Sequence, residues 1–114
     1  MKFAETKDIY IERGGVRLHA LDYGGSGEPI ILFLHGAVAH ARWWDTIAPG
    51  LADLGRPVSI DLRGHGESDW SEDYSYGAFA LDLEAWIAWA VAEGGAPPGL
   101  IAHSFGGGTT LKLH

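Results

Sequence analysis

The chain has 114 residues, 46% of them apolar and 20% charged, with a formal net charge of −7 and no cysteine. That length suits one domain with a modest core, and the composition is globular rather than disordered. The acidic balance without a basic cluster argues against nucleic acid or an anionic membrane surface as partner, and the missing cysteine removes a disulfide framework, a thiolate nucleophile and a cysteine metal site. A small-molecule partner remains. Lys2, Glu5, Lys7 and Asp8 leave no room for a secretory apolar segment, and Asp82 and Glu84 interrupt the longest apolar stretch, residues 77–92. A soluble, cytoplasmic protein is therefore expected.

Residues 9–13 and 16–23 are rich in β-formers, and Gly14-Gly15 between them predicts a two-residue hairpin. Gly24, Gly25, Ser26 and Gly27 form a loop. Residues 30–34 then make an uninterrupted apolar run that suits a strand covered on both faces, ended by His35-Gly36. Over 39–54, Trp43, Ile47, Leu51 and Leu54 recur at helical spacing, with Pro49 and Gly50 marking a break or kink. The next strand is expected over 57–61, followed by a polar turn over 63–70. A helix starts at Ser75 or Tyr76 and runs to about Glu93, with Phe79, Leu83, Trp86, Ile87 and Ala90 as its apolar stripe and Asp82, Glu84 and Glu93 off that stripe. Gly94-Gly95 closes it and Pro97-Pro98 prevents its continuation.

Residues 100–110 carry the most informative pattern: an apolar run, then Ser104 between small residues, then a glycine cluster. This reads as a strand that delivers Ser104 to a sharp turn before a helix. Ala102 and Gly106 are the small neighbours such a turn tolerates, so the segment is a G-x-S-x-G nucleophile elbow with alanine for the first glycine. A phosphate-binding loop is the competing reading, but no lysine follows Gly106, Gly107 and Gly108, and the G-x-G-x-x-G spacing is absent. Elsewhere, His103 points away from Ser104 along the strand and is assigned to packing. Trp43 and Trp44 are assigned to core and pocket wall. His19, His40 and His65 show no pairing that suggests metal ligands, and neither a metal nor a cofactor is expected.

Three segments then fall in order: His35-Gly36 after one strand, Asp61-Leu62-Arg63-Gly64-His65-Gly66-Glu67-Ser68 after the next, and Ser104 after the third. Loops after the carboxyl ends of parallel strands share one sheet edge, where ligands bind in open α/β folds. Together the segments resemble the α/β-hydrolase superfamily, with its HG turn, D-x-R-G-x-G-x-S turn and nucleophile elbow. The resemblance implies the N-terminal part of an α/β-hydrolase sheet, an antiparallel hairpin followed by parallel strands alternating with helices, over 1–114 as a partial domain. It further implies Ser104 as nucleophile, and the backbone N–H groups of Ala37 and Phe105 as the oxyanion hole. His35, Gly36, Asp61, Arg63, Gly64, Gly66, Ser68, Ala102 and Gly106 are implied as structural turn residues, with Asp61, Arg63 and Ser68 a charge-and-cap arrangement. Serine at this position counts against the dehalogenase and epoxide-hydrolase branches, leaving ester, lactone, amide or carbon–carbon cleavage, or a perhydrolase-type activity.

In that family the acid and the histidine base follow the elbow. Here only Leu111, Lys112, Leu113 and His114 follow Thr110, and His114 lies about 15 Å along a helix from Ser104. Truncation after the elbow is thus the leading expectation, with a non-catalytic ligand-binding module and a site completed by a second chain as alternatives. The Ser104 strand would be an open, apolar edge, prone to self-association or in need of a missing C-terminal half.

Overall fold

A computed structural model describes residues 4–25, 29–36 and 39–103. Five strands, β1 (Lys7–Arg13), β2 (Val16–Asp22), β3 (Ile30–Leu34), β4 (Arg56–Ile60) and β5 (Gly99–Ala102), form one sheet in the order β1-β2-β4-β3-β5. One helix, α1 (Tyr76–Gly94), joins β4 to β5. No helix among the described residues is long and apolar enough to cross a membrane.

The expected hairpin forms with Arg13 opposite Val16, and Gly14 and Gly15 adopt φ of 57° and 81°. Two consecutive positive φ values are what a type I′ turn demands, and only glycine takes them without cost. β2 then runs antiparallel to β4, while β3 lies parallel to both β4 and β5. The mixed sheet with three parallel strands is the α/β architecture expected from the chain's alternation of strands and helix.

β3 sits between two other strands, and its period of two sends side chains to both faces. Ile30, Leu32 and Leu34 pack with Val58, Ile60, Leu18 and Ala20 against Phe79, Leu83, Trp86 and Ala90 of α1. Phe33 faces the opposite side, where it meets Trp44 and Ala48. The continuous apolar run follows from this double burial.

Helix α1 begins at Ser75, whose hydroxyl accepts the Ala78 N–H at 3.2 Å, and ends at Gly95 with φ of 73°. Both ends match the sequence reading. Asp82 does not: it is buried rather than off the stripe, because Arg63 and Arg13 reach it as ion-pair partners. The predicted helix over 39–54 is also corrected. Two 3-10 turns, Ala41–Trp44 and Ala48–Leu51, stand there instead. Trp43, Ile47 and Leu54 are exposed, and Ala41, Trp44 and Ala48 are the buried positions. Pro49 sits at the start of the second turn with no N–H to give an α-helical bond, and the backbone bonds from Trp43 to Leu54 run to the residue three back, so the segment lies over the sheet as short turns whose inward residues do not keep a 3.6-residue period.

Candidate functional site

The register of the parallel strands decides which residues can meet. Leu34 pairs with Ile60 on one side and with Ala102 on the other. The next residues of all three strands therefore leave the sheet along one edge: His35-Gly36, Asp61 onward, and His103 leading to Ser104. The His103 N–H donates to the Leu34 carbonyl at 3.1 Å, which extends the pairing to the residue before the serine. Ser104, Phe105, Gly106 and Ala37 lie outside the described residues, as does the helix expected after the elbow.

His35 is fully buried. Its Nδ1–H donates to the Gly36 carbonyl at 2.6 Å, and its Nε2 accepts the Leu62 N–H at 3.0 Å. This fixes one neutral tautomer and ties the first turn to the second. Burial, with the neighbouring His65 ring adding to it, drives the His35 pKa down to about 4 despite the bond to Gly36. Protonation would aim a second ring N–H at the Leu62 N–H. The stability tied to this neutral ring is full above the ordinary value of 6.5 and is lost as pH falls from 6.5 to about 4. Urea melts between pH 7 and pH 4 are expected to show a loss of roughly 3 kcal/mol more in the parent chain than in His35→Gln. Carboxylates that titrate in the same range are common to both proteins, so equal slopes would contradict the assignment.

Asp61 organises the second turn from a site only 3% exposed. Its Oδ1 accepts the Ala41 N–H at 2.7 Å, and its Oδ2 faces His19 Nδ1 at 2.6 Å and accepts the Glu67 N–H at 3.1 Å. Burial works against the carboxylate, but these three donors outweigh it and hold the pKa below the usual aspartate value. Ser68 closes the turn: its hydroxyl donates to the Asp61 carbonyl at 2.7 Å and accepts the His19 N–H at 2.9 Å. Gly66 has φ of 51°, and a Cβ there would collide with the Asp61 carboxylate. Gly64 donates its N–H to the Asp69 carbonyl at 2.9 Å.

Arg63 departs from the expected arrangement within the turn. Its guanidinium turns to α1, where Nε and NH2 meet the Asp82 carboxylate at 2.6 and 2.8 Å. Arg13 Nε meets the same carboxylate at 2.8 Å. Asp82 thus moors the turn to the helix and the hairpin to both. His103 is also corrected. It is exposed rather than packed in the core, with its ring centroid 5.3 Å from that of Trp43. Trp44 is core, whereas Trp43 is 53% exposed beside the serine-bearing strand. Ala102 is exposed on β5, an edge strand of the described sheet.

His19 is the residue that sequence reasoning missed. A histidine inside Leu18-His19-Ala20-Leu21 on a doubly covered strand needs hydrogen-bond partners, and that requirement was the available signal. Its Nε2 lies 2.7 Å from Asp8 Oδ1 and 3.3 Å from Glu67 Oε2. Asp8, His19 and Glu67 therefore bring ligand-type atoms within 4.8 Å of one another. The 2.7 Å separation is a hydrogen-bond distance. A cavity of about 210 Å³, bordered by His19, His40, Arg42, Asp61, Gly66 and Glu67, opens beside it. The roomier hollow of about 470 Å³, lined by Glu5, Lys7, Asp22 and Tyr23, lies toward the amino end of β4, away from the convergent turns.

Residues 31–113 match the sequence profile described as "Alpha/beta hydrolase family". The chain is 33% identical over 99 residues to Lipase LipV of Mycobacterium tuberculosis, covering 86% of this chain and 36% of the lipase. It is 39% identical over 100 residues to an esterase of the same organism, covering 84% of this chain and 31% of the esterase. An epoxide hydrolase from Vigna radiata superposes with a TM-score of 0.82 at 29% identity, over 96% of this chain and 35% of that one. The chain spans about a third of the length of these curated relatives.

Proposed function

Because this chain belongs to the alpha/beta hydrolase family, as its match over residues 31–113 establishes, we propose that it carries the nucleophile of a serine hydrolase that cleaves an acyl bond of a small molecule. Ser104 is the nucleophile in this reading. The observation that supports it is the convergence of three turns on one sheet edge, with Leu34 in register with both Ile60 and Ala102. The similarity to a lipase and an esterase favours an ester over a lactone, amide or carbon–carbon bond. A serine at position 104, where the dehalogenase and epoxide-hydrolase branches use aspartate, points the same way.

Ser104 Oγ attacks the acyl carbon and gives its proton to a histidine base. The carbonyl oxygen becomes an oxyanion facing the backbone N–H groups of Ala37 and Phe105, each worth about 3 kcal/mol in the transition state. Collapse of the tetrahedral intermediate expels the leaving alcohol, which takes the proton back from the base, and water then releases the acyl group. The chain spans about a third of the length of the lipase and the esterase, and the base and orienting acid are assigned in this reading to the portion that such relatives carry beyond it. β5 is an edge strand among the described residues, and its Ile101 is 37% exposed. Exposed Trp43, its ring tilted against that of His103, forms part of the pocket wall in this reading. A cytoplasmic setting belongs to the same reading, consistent with a cysteine-free sequence.

A panel of p-nitrophenyl esters tests the proposal. The protein in the form its host produces is expected to turn over, and Ser104→Ala is expected to lower kcat by about 10⁴-fold or more. The isolated 114-residue chain is expected to show only residual hydrolysis. Undiminished turnover by Ser104→Ala would contradict the assignment.

A further inference from the structure

We propose that His19 is a positioning residue for this site: held as an imidazolium between Asp61 and Asp8, it fixes the Asp61 carboxylate that clamps Ala41, four residues after the proposed oxyanion donor Ala37. The inference rests on the oxyanion role given above to Ala37, but the geometry that carries it is separate from that role.

A neutral imidazole has one N–H. His19, 1% exposed, has a carboxylate oxygen at hydrogen-bond distance from both ring nitrogens: Asp61 Oδ2 at 2.6 Å from Nδ1 and Asp8 Oδ1 at 2.7 Å from Nε2. The shared protons belong to the ring rather than to Asp61. That carboxylate also accepts the Ala41 and Glu67 N–H groups, and hydrogen bonds donated to both of its oxygens favour its ionised form over a carboxyl that donates to Nδ1. A ring that lost one proton would turn a lone pair toward a carboxylate, so the doubly protonated form is the one that satisfies every group.

The consequence reaches the loop through one residue. Ala41 is buried, with its N–H held by Asp61 Oδ1 at 2.7 Å and its carbonyl accepting the Ser59 hydroxyl at 2.7 Å. At the other end of the loop, the Ala39 N–H donates to the Gly36 carbonyl at 3.3 Å. In sequence the two anchors lie on either side of position 37. An oxyanion donor is effective only if it is fixed before charge develops, so how firmly the anchors at Ala41 and Gly36 hold bears on the transition state more than on substrate binding. His19 reaches no reacting atom itself. It acts by keeping Asp61 charged and oriented.

The groups that face His19 decide how firmly it keeps its protons. β1 presents Asp8 and Tyr10, whose ring centroid lies 5.0 Å from that of His19. The turn after β4 presents Asp61 and Glu67. His40 and Arg42 border the adjoining cavity, with the Arg42 guanidinium on Asp45 at 3.2 Å. Burial opposes the charge on His19, but the bonds to Asp61 and Asp8 and the charges of Asp61 and Glu67 raise its pKa above the ordinary histidine value. The clamp is therefore complete below pH 6.5 and is released as pH rises through the raised value.

Nitrogen NMR of the protein in the form its host produces, with labelled histidine, reads the ring directly. At pH 7 both His19 nitrogens are expected to be protonated, and Ala41 amide exchange, corrected for its intrinsic pH dependence, is expected to accelerate about tenfold or more above the His19 midpoint. Asp8→Asn changes an exposed side chain and keeps the fold. It is expected to lower the His19 midpoint and carry the onset of Ala41 exchange down with it, whereas a purely structural histidine would leave the two uncoupled. In a form with esterase activity, the basic limb of kcat is expected to follow the same midpoint while KM stays within about twofold. One ring proton at pH 7, Ala41 exchange indifferent to the Asp8→Asn shift, or stoichiometric zinc displacing the Nε2 proton would each overturn the proposal. The NMR readouts need no turnover, so an inactive Ser104 would not imitate their failure.

Discussion

Replacing Asp61 with alanine is expected to cost the fold about 3–5 kcal/mol, the range seen when one partner of a buried ion pair is removed. The substitution leaves His19 1% exposed with its Nδ1 unpartnered, and it orphans the Ala41 and Glu67 N–H groups, which the carboxylate satisfies at 2.7 and 3.1 Å. Each lost bond lies in a segment distant in sequence from the others, so the damage spreads from β2 through the 61–68 turn to the first 3-10 turn. Asp61→Asn is expected to cost less, because its carbonyl can still accept from a backbone N–H while its amide group opposes the others. Urea melts at pH 7 read both variants. A loss below about 1 kcal/mol for Asp61→Ala would mean that surface-like electrostatics govern the turn.

Trp86→Ala is expected to be comparably severe, at about 3–5 kcal/mol. The side chain is 1% exposed on the sheet face of α1 and meets Trp89 edge-on at a centroid distance of 5.5 Å. Truncation opens a large cavity in the core cluster that Trp86 shares with Leu32 and Val58, which the paired strands cannot collapse to fill. Trp86→Phe separates packing from polarity. The indole N–H of Trp86 has no hydrogen-bond partner among the described residues, so phenylalanine removes a buried donor together with part of a ring, and the two effects oppose each other. Thermal melts are expected to place Trp86→Phe within about 1.5 kcal/mol of the parent. A phenylalanine variant as unstable as the alanine one would show that the indole N–H is satisfied.

The elements that were legible in the sequence are those whose cause is local. Gly14-Gly15 specifies the hairpin turn by backbone conformation alone, Ser75 and Gly95 delimit α1 by capping, and the 30–34 run announces a strand with two covered faces. Residues 39–54 misled because helical spacing of Trp43, Ile47 and Leu54 is a pattern of type, not of burial. Tertiary contact chose Trp44 and Ala48 instead, against Phe33. The turn motif was legible as a motif but not in its wiring. Asp61 is paired with His19 and Arg63 with Asp82, over 42 and 19 residues of sequence, and no local spacing encodes either partner. Asp82 looked solvent-facing for the same reason: a carboxylate on a helix reads as exposed until the arginines that neutralise it are known.

The most direct test of the central claim is covalent. The protein in the form its host produces, treated with a fluorophosphonate ester probe and digested, is expected to carry one adduct, on the peptide that contains Ser104. Ser104→Ala, with its fold checked by circular dichroism, is expected to carry none. An adduct that persists in Ser104→Ala, or that maps to another serine such as Ser59 or Ser68, would contradict the account.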